Sequence, residues 1–140
     1  MKIYVLLGCM MIGTSAFAQK ISEDKVPSPV KAALAKKFPA ATGIKWEMEK
    51  GNYEAGFKVN NQHTSAVFDM KGGWMETETA APVAALPKDA TAYIASHYKG
   101  AKVKETAKIV KSNGVVNYEA EINGKDVIFD DKGNFLREEK

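Results

Sequence analysis

Val67-Phe68-Asp69-Met70-Lys71-Gly72-Gly73-Trp74-Met75-Glu76-Thr77-Glu78 returns without a gap as Ile128-Phe129-Asp130-Asp131-Lys132-Gly133-Asn134-Phe135-Leu136-Arg137-Glu138-Glu139. Upstream, Asn52-Tyr53-Glu54-Ala55 returns as Asn117-Tyr118-Glu119-Ala120, and Val26-Pro27 as Leu86-Pro87. A recurrence of roughly 60 residues is the mark of one supersecondary unit present twice. Within the quoted stretch, Asp69-Met70-Lys71-Gly72 has Asp at the first and Gly at the last position of a turn. It therefore joins two strands, and the rest of each copy can be read outward from it.

Before the turn, Tyr53, Ala55, Phe57 and Val59 alternate with Glu54, Gly56 and Lys58, and Ile44, Trp46 and Met48 alternate with Lys45, Glu47 and Glu49. Period two with one apolar and one charged parity predicts antiparallel strands packed on one face and wet on the other. Ala66 to Phe68 and Trp74 to Thr79 complete four strands. The second copy gives Val103–Lys111, Val115–Ile122, Lys125–Phe129 and Asn134–Glu138, with hairpin signals at Asn113-Gly114 and Asn123-Gly124. The Asn60–Ser65 connection is read as four residues longer than its counterpart around Asn123-Gly124.

A short helix precedes each set of strands. Ser28 is the expected N-cap, with Pro29 at the first helical position. Val30, Ala33, Leu34 and Phe38 form the apolar stripe, and Pro39 ends the helix. Ala90, Tyr93, Ile94 and Tyr98 repeat that stripe. The expected fold is α+β: two tandem repeats, each one helix and a four-stranded antiparallel meander. The sheets join into a curved surface with the helices on one side.

The expected organisation is an export signal at 1–18, a flexible arm at 19–25, repeat one at 26–79, a linker at 80–85 and repeat two at 86–140. Lys2, the apolar run from Ile3 to Phe17 and Ala16-Phe17-Ala18 before Gln19 have the form of a cleaved signal. Cleavage near Ala18/Gln19 predicts a periplasmic or secreted protein with no stable membrane span. Cys9, in a stretch resembling a lipobox, would leave with the signal, so the remaining chain has no disulfide and must rely on an apolar core.

Removing residues 1–18 takes away one base, Lys2, and no acid, so the formal charge falls from +3 to +2. That balance gives no basic stripe for nucleic acid and no polybasic membrane patch. His63 and His97 are the two histidines, and no nucleophile elbow or metal motif accompanies them. The acids around Asp69 and Asp130 stop at Gly72 and Gly133 and do not fill a calcium loop. No catalytic residue, metal site or cofactor is expected.

Two repeats of one helix plus four strands, carrying Phe-Asp-x-Lys-Gly-x-aromatic at Phe68 to Trp74 and Phe129 to Phe135, resemble the PepSY-like, β-lactamase-inhibitor-like proteins of the bacterial envelope. The similarity spans roughly residues 26–139. It implies helices on one side of a long curved sheet and, in the inhibitor relatives, a concave face that grips an enzyme. The inhibitor used for comparison carries disulfides and presents an acid from a hairpin. The hairpin Asn60-Asn61-Gln62-His63 has no acid, so β-lactamase inhibition is not carried over.

The resulting expectation is a non-enzymatic protein that docks a protein or peptide partner on its sheet face, as monomer or dimer. A narrower version has it inhibit an envelope hydrolase or peptidase through the Asn60–Ser65 hairpin. Strand parity puts Trp74 with Glu76 and Glu78, and Phe135 with Arg137 and Glu139, so both aromatics are expected as exposed anchors. Lys45, Glu47, Glu54, Lys58, Glu119 and Glu121 would set orientation, with His63 in the hairpin. The alternative expectation is a small-molecule or ion sensor.

Overall fold

The computed structural model describes residues 18–140, so the expected export signal, apart from Ala18, lies outside the described residues. Nine antiparallel strands form one open sheet whose spatial order is the chain order: β1 (Gln19–Ile21), β2 (Thr42–Glu49), β3 (Asn52–Val59), β4 (Gln62–Phe68), β5 (Trp74–Ala81), β6 (Val103–Lys111), β7 (Val116–Ile122), β8 (Lys125–Asp130) and β9 (Phe135–Glu139). Two helices, α1 (Ser28–Lys37) and α2 (Lys88–His97), follow β1 and β5. The class is α+β.

The register shows where the helices lie. Residues paired directly across antiparallel strands point to the same side. Trp46 pairs with Ala55, Ala55 with Ala66, Ala66 with Thr77, Thr77 with Val110 and Val110 with Val116. Val116 shares its parity with Ala120 and Ile122. One side of the sheet therefore carries both Trp46 and Ala120. Val30 and Leu34 of α1 pack on Trp46, Ala55, Phe57, Ala66 and Phe68. Ala90 and Ile94 of α2 pack on Ala120, Ile122, Val127 and Phe129. Both helices cover the same side, over two separate cores, and no helix among the described residues lies on the other side.

Several sequence expectations change. The 19–25 segment is folded: Gln19, Lys20 and Ile21 pair with Met48, Glu47 and Trp46, and Glu23–Lys25 form a 3₁₀ turn. Its polar composition hid an edge strand. Ala80 and Ala81 belong to β5 and pair with Ala107 and Thr106, while Val83–Ala85 form a second 3₁₀ turn. β5 and β6 thus join the two halves into one sheet. Pro27, not Ser28, occupies the N-cap of α1, and Ser28 makes no capping hydrogen bond there.

The Asn60–Ser65 loop is also shorter than expected. Val59 pairs with Gln62, leaving only Asn60 and Asn61 at the tip, both with positive φ (49° and 64°). Asparagine tolerates that left-handed geometry, which matches the twist of a two-residue hairpin. Asn123-Gly124 closes its hairpin in the same way. The extra residues lengthen the β3–β4 ladder rather than a loop, and His63 stands on β4 opposite Lys58. The longer connection is the Ser112–Val115 turn between β6 and β7, where the Ser112 amide donates to the Met75 carbonyl at 2.7 Å.

Candidate binding face

The recurring Asp-x-Lys-Gly segment has a structural job. Asp69 Oδ1 accepts hydrogen bonds from the amides of Lys71 and Gly73, both at 2.8 Å. Asp130 Oδ1 does the same for Lys132 and Asn134, at 2.9 and 2.8 Å. The Gly73 and Lys71 amides hold the Asp69 carboxyl below the usual carboxylate range, and the Asn134 side-chain amide, followed by the Asn134 backbone amide, does so for Asp130. Each turn is pressed against the first turn of its helix. A Cβ on Gly72 would lie 2.6 Å from the Pro29 carbonyl oxygen, and one on Gly133 would lie 2.5 Å from the Ala90 nitrogen. The motif that decides the fold is therefore a clasp between hairpin and helix.

The same turns explain why Trp74 and Phe135 are not where strand parity placed them. A register shift between Val67 and Phe68 pairs Val67 with Glu76 but Phe68 with Trp74, so Met75 is an extra residue. An equivalent shift pairs Ile128 with Arg137 and Phe129 with Phe135. A bulge of one residue reverses which side the preceding side chain takes. Trp74 therefore lies on the helix side against the first core, with its Nε1 donating to Thr77 Oγ1 at 2.9 Å. Lys37 Nζ lies 3.6 Å from its ring centroid, a cation–π contact. Phe135 is stacked on Tyr93 at 4.8 Å, and Tyr93 on His97 at 3.8 Å. Neither aromatic is an anchor on the helix-free face. Trp74→Ala is accordingly expected to lower stability by about 2 kcal/mol, read as a shift in the urea midpoint.

The other expected residues do share the helix-free side. Lys45, Glu47, Glu54, Lys58 and His63 lie on it in β2 to β4, where Glu47 faces Glu54 and Lys58 faces His63. Lys45, Lys58 and His63 are exposed, and the two glutamates are half-buried. Glu119 and Glu121 lie on it in β7. Glu119 pairs with Ala107 and Ile128, and Glu121 with Glu105 and Asp126. Lys104 Nζ reaches Glu121 at 3.0 Å.

This side is drier than a wet strand face should be. Val67, Ala107, Ile109 and Ile128 all face it and are buried, with Ile128 only 1% exposed. Glu76 and Glu78 also face it and are buried. Since no helix among the described residues lies there, the sheet itself closes over them. Charge interactions show the same bend. Arg137 and Glu139 on β9 act on Glu76 on β5, although four strand spacings of a flat sheet would be about 19 Å. Such a span exceeds the range of an effective screened interaction. Between β5 and β9 the sheet therefore curls toward the helix-free side and covers these residues with its own side chains.

Burial raises the carboxyls on that side. Desolvation, followed by the neighbouring Glu78, Asp126, Glu139 and Glu121 charges, pushes Glu119 up to about 9. Burial also raises Glu76, partly offset by Lys111 and Arg137. Asp126 is raised by burial and then by Glu121 and Glu139. Glu119 was expected on a solvated face, yet it is half-buried because of the curl. Strand alternation could assign Glu76, Glu78 and Asp126 to a face, but not reveal that the face folds over them. Among the described residues, no group of three or more His, Cys, Asp or Glu side chains could hold a metal ion.

The comparisons with known proteins agree with this architecture. The family model described as "Putative beta-lactamase-inhibitor-like, PepSY-like" matches residues 13–62 and 51–137. A BLIP-like protein of Bacteroides fragilis is 28% identical, with a TM-score of 0.66 over 81% of this chain and 85% of its own. A DUF2874 family protein of Bacteroides uniformis is 26% identical, with a TM-score of 0.68 over 80% and 87%. A Bacteroides eggerthii structure, described as of "putative periplasmic proteins", shares the fold at 24% identity and a TM-score of 0.70 over 81% and 88%. No curated protein matches the chain. Among the described residues no helix is long and apolar enough to cross a membrane.

Proposed function

The chain belongs to the PepSY-like, β-lactamase-inhibitor-like family, and from that premise we propose that it is an exported, non-enzymatic protein that docks a protein partner on the helix-free face of its sheet. The observation that carries this reading is the helix-free side of β2 to β4, where Lys45, Lys58 and His63 are exposed beside the half-buried Glu47 and Glu54. No helix among the described residues covers that side. The family is not a known enzyme family, and the export signal ending near Ala18 supports work in the envelope. Trp74 and Phe135 drop out as anchors. Lys45, Glu47, Glu54 and Lys58 remain as orienting charges, and Glu119 and Glu121 lie on the same side in β7.

The tandem reading belongs to the same proposal. Equivalent bulges after Val67 and Ile128, equivalent Asp-centred turns and helices on one side support two copies of one unit.

A crosslinked pull-down from envelope extract tests the docking face. Protein beginning at Gln19 is the bait, and Lys45→Glu with Lys58→Glu, both exposed on this side, is the variant. A partner held by the parent and lost by a folded variant supports the reading. Equal recovery by both baits removes this face.

A further inference from the structure

We infer that the helix-free face holds a seat for a carboxylate from an acidic segment of the partner, centred on Gly56 between Lys45 and Lys58. This rests on the docking reading above and adds the partner's chemistry.

Gly56 is a glycine that the fold does not need. It lies in the middle of β3 and pairs in regular register with Ser65 on β4. Its φ is outside the left-handed region, and a Cβ placed on it would meet nothing within 4 Å. Glycine inside a strand weakens it and marks either a bulge or a place where another group approaches the backbone closely. The extra residue on this side belongs to β2, between Thr42 and Lys45, not to β3. The space over Gly56 is open on the helix-free face.

Bases stand around that space. Lys45 is directly opposite Gly56 on β2, Lys58 is two residues along β3 on the same side, and His63 is opposite Lys58 on β4. Adjacent strands are about 5 Å apart and two residues along a strand span about 7 Å. The flexible four-carbon stems therefore bring both ammonium groups within reach of a group seated over Gly56. All three bases are exposed, and among the described residues none of them takes part in an ion pair. The neighbouring acids are Glu54, two residues the other way along β3, and Glu47 opposite it, with Lys20 beside Glu47 on β1. The seat opens toward Lys58 and His63, away from these acids.

In the tandem reading, Asn52-Tyr53-Glu54-Ala55-Gly56 corresponds to Asn117-Tyr118-Glu119-Ala120-Glu121. A glutamate thus stands in the second copy where the first has Gly56, and Lys104 from the adjoining β6 meets its carboxylate at 3.0 Å. The first copy keeps a lysine on the adjoining strand and lacks the carboxylate. A partner carboxylate would complete the arrangement with charge-assisted hydrogen bonds.

Fluorescent oligoglutamate is the probe, oligolysine of equal length is the control peptide, and anisotropy at low salt is the readout. The parent should bind oligoglutamate, and less tightly as salt rises. Lys45→Ala/Lys58→Ala should weaken binding at least about tenfold. Lys36→Ala/Lys99→Ala removes the same charge from exposed positions off this face and should leave binding within about twofold. Gly56→Glu places the protein's own carboxylate in the seat. It should abolish oligoglutamate binding without lowering the urea midpoint. Gly56→Gln fills the space without a charge and should weaken binding at least about threefold.

No oligoglutamate binding by the parent, parent-like binding by either Gly56 variant, an equal loss with Lys36→Ala/Lys99→Ala, or equal binding of oligolysine overturns the seat. Polygalacturonate binding as tightly as the peptide overturns a protein source. An envelope partner lost with Lys45→Glu/Lys58→Glu, together with no oligoglutamate binding, overturns the anionic chemistry and leaves the docking face standing. Oligoglutamate binding with equal recovery of the partner by both baits overturns the docking reading and leaves the seat standing.

Discussion

Gly133→Ala should destabilise the protein by about 3 kcal/mol, and Gly72→Ala by a similar amount. Each glycine has a left-handed backbone, with φ at +95° and +85°, which costs a residue with a Cβ about 1–2 kcal/mol. Each added Cβ would also collide with helix backbone, at Ala90 nitrogen or Pro29 oxygen. Backbone cannot swing aside as a flexible side chain can, so the turn must lift from the helix, adding about 1–3 kcal/mol. Gly114→Ala separates the two effects. Its φ is +86°, but its Cβ would meet nothing within 4 Å, so it carries the conformational cost alone. Urea midpoints should therefore fall further for Gly133→Ala and Gly72→Ala than for Gly114→Ala. Equal falls would show that the clasp contributes nothing.

Stability should be greatest near about pH 5 and decline toward pH 9, the reverse of a protein dominated by paired carboxylates. The carboxyl of Glu119 is pushed up to about 9 when folded and titrates near its ordinary value when unfolded. Between those values the folded state holds the extra proton, so raising the pH favours unfolding. The shifts of Glu76 and Asp126 have the same sign. Asp69, Asp130 and Glu138 are lowered by amide, Asn134, Lys125 and Tyr98 donors. Their stabilisation is present at neutral pH and is lost as the pH falls through their folded values, which bounds the acid side. Glu119→Gln removes the largest alkaline contribution. It should raise stability at pH 8–9 by on the order of a few kcal/mol and leave pH 4 nearly unchanged. Urea titrations at pH 4, 6 and 9 decide this; a parent more stable at pH 9 than at pH 6 would sink it.

Periodicity made most of the fold readable. Alternation at Tyr53 to Val59 and the stripe Val30, Ala33, Leu34 and Phe38 reflect local geometry, and local geometry is written in adjacent residues. The side taken by Trp74 was misread because one extra residue at Met75 reverses parity. The available signal was the adjacent apolar pair, Trp74-Met75 and again Phe135-Leu136, in strands otherwise alternating. β1 escaped notice because a three-residue edge strand needs no apolar run. The dryness of Glu76, Glu78 and Glu119 had no sequence signal, because it depends on how strands far apart in the chain curl together.

The agreement between chain order and sheet order has a mechanical consequence. Each strand is laid beside the one made just before it, so the ladder can grow hairpin by hairpin without closing a long loop. The helices return between neighbouring strands and introduce no crossover. Pulled by its two ends, the ribbon would peel from β1 or β9 and rupture one ladder at a time, because no strand pairs across the sheet to bear the load in parallel.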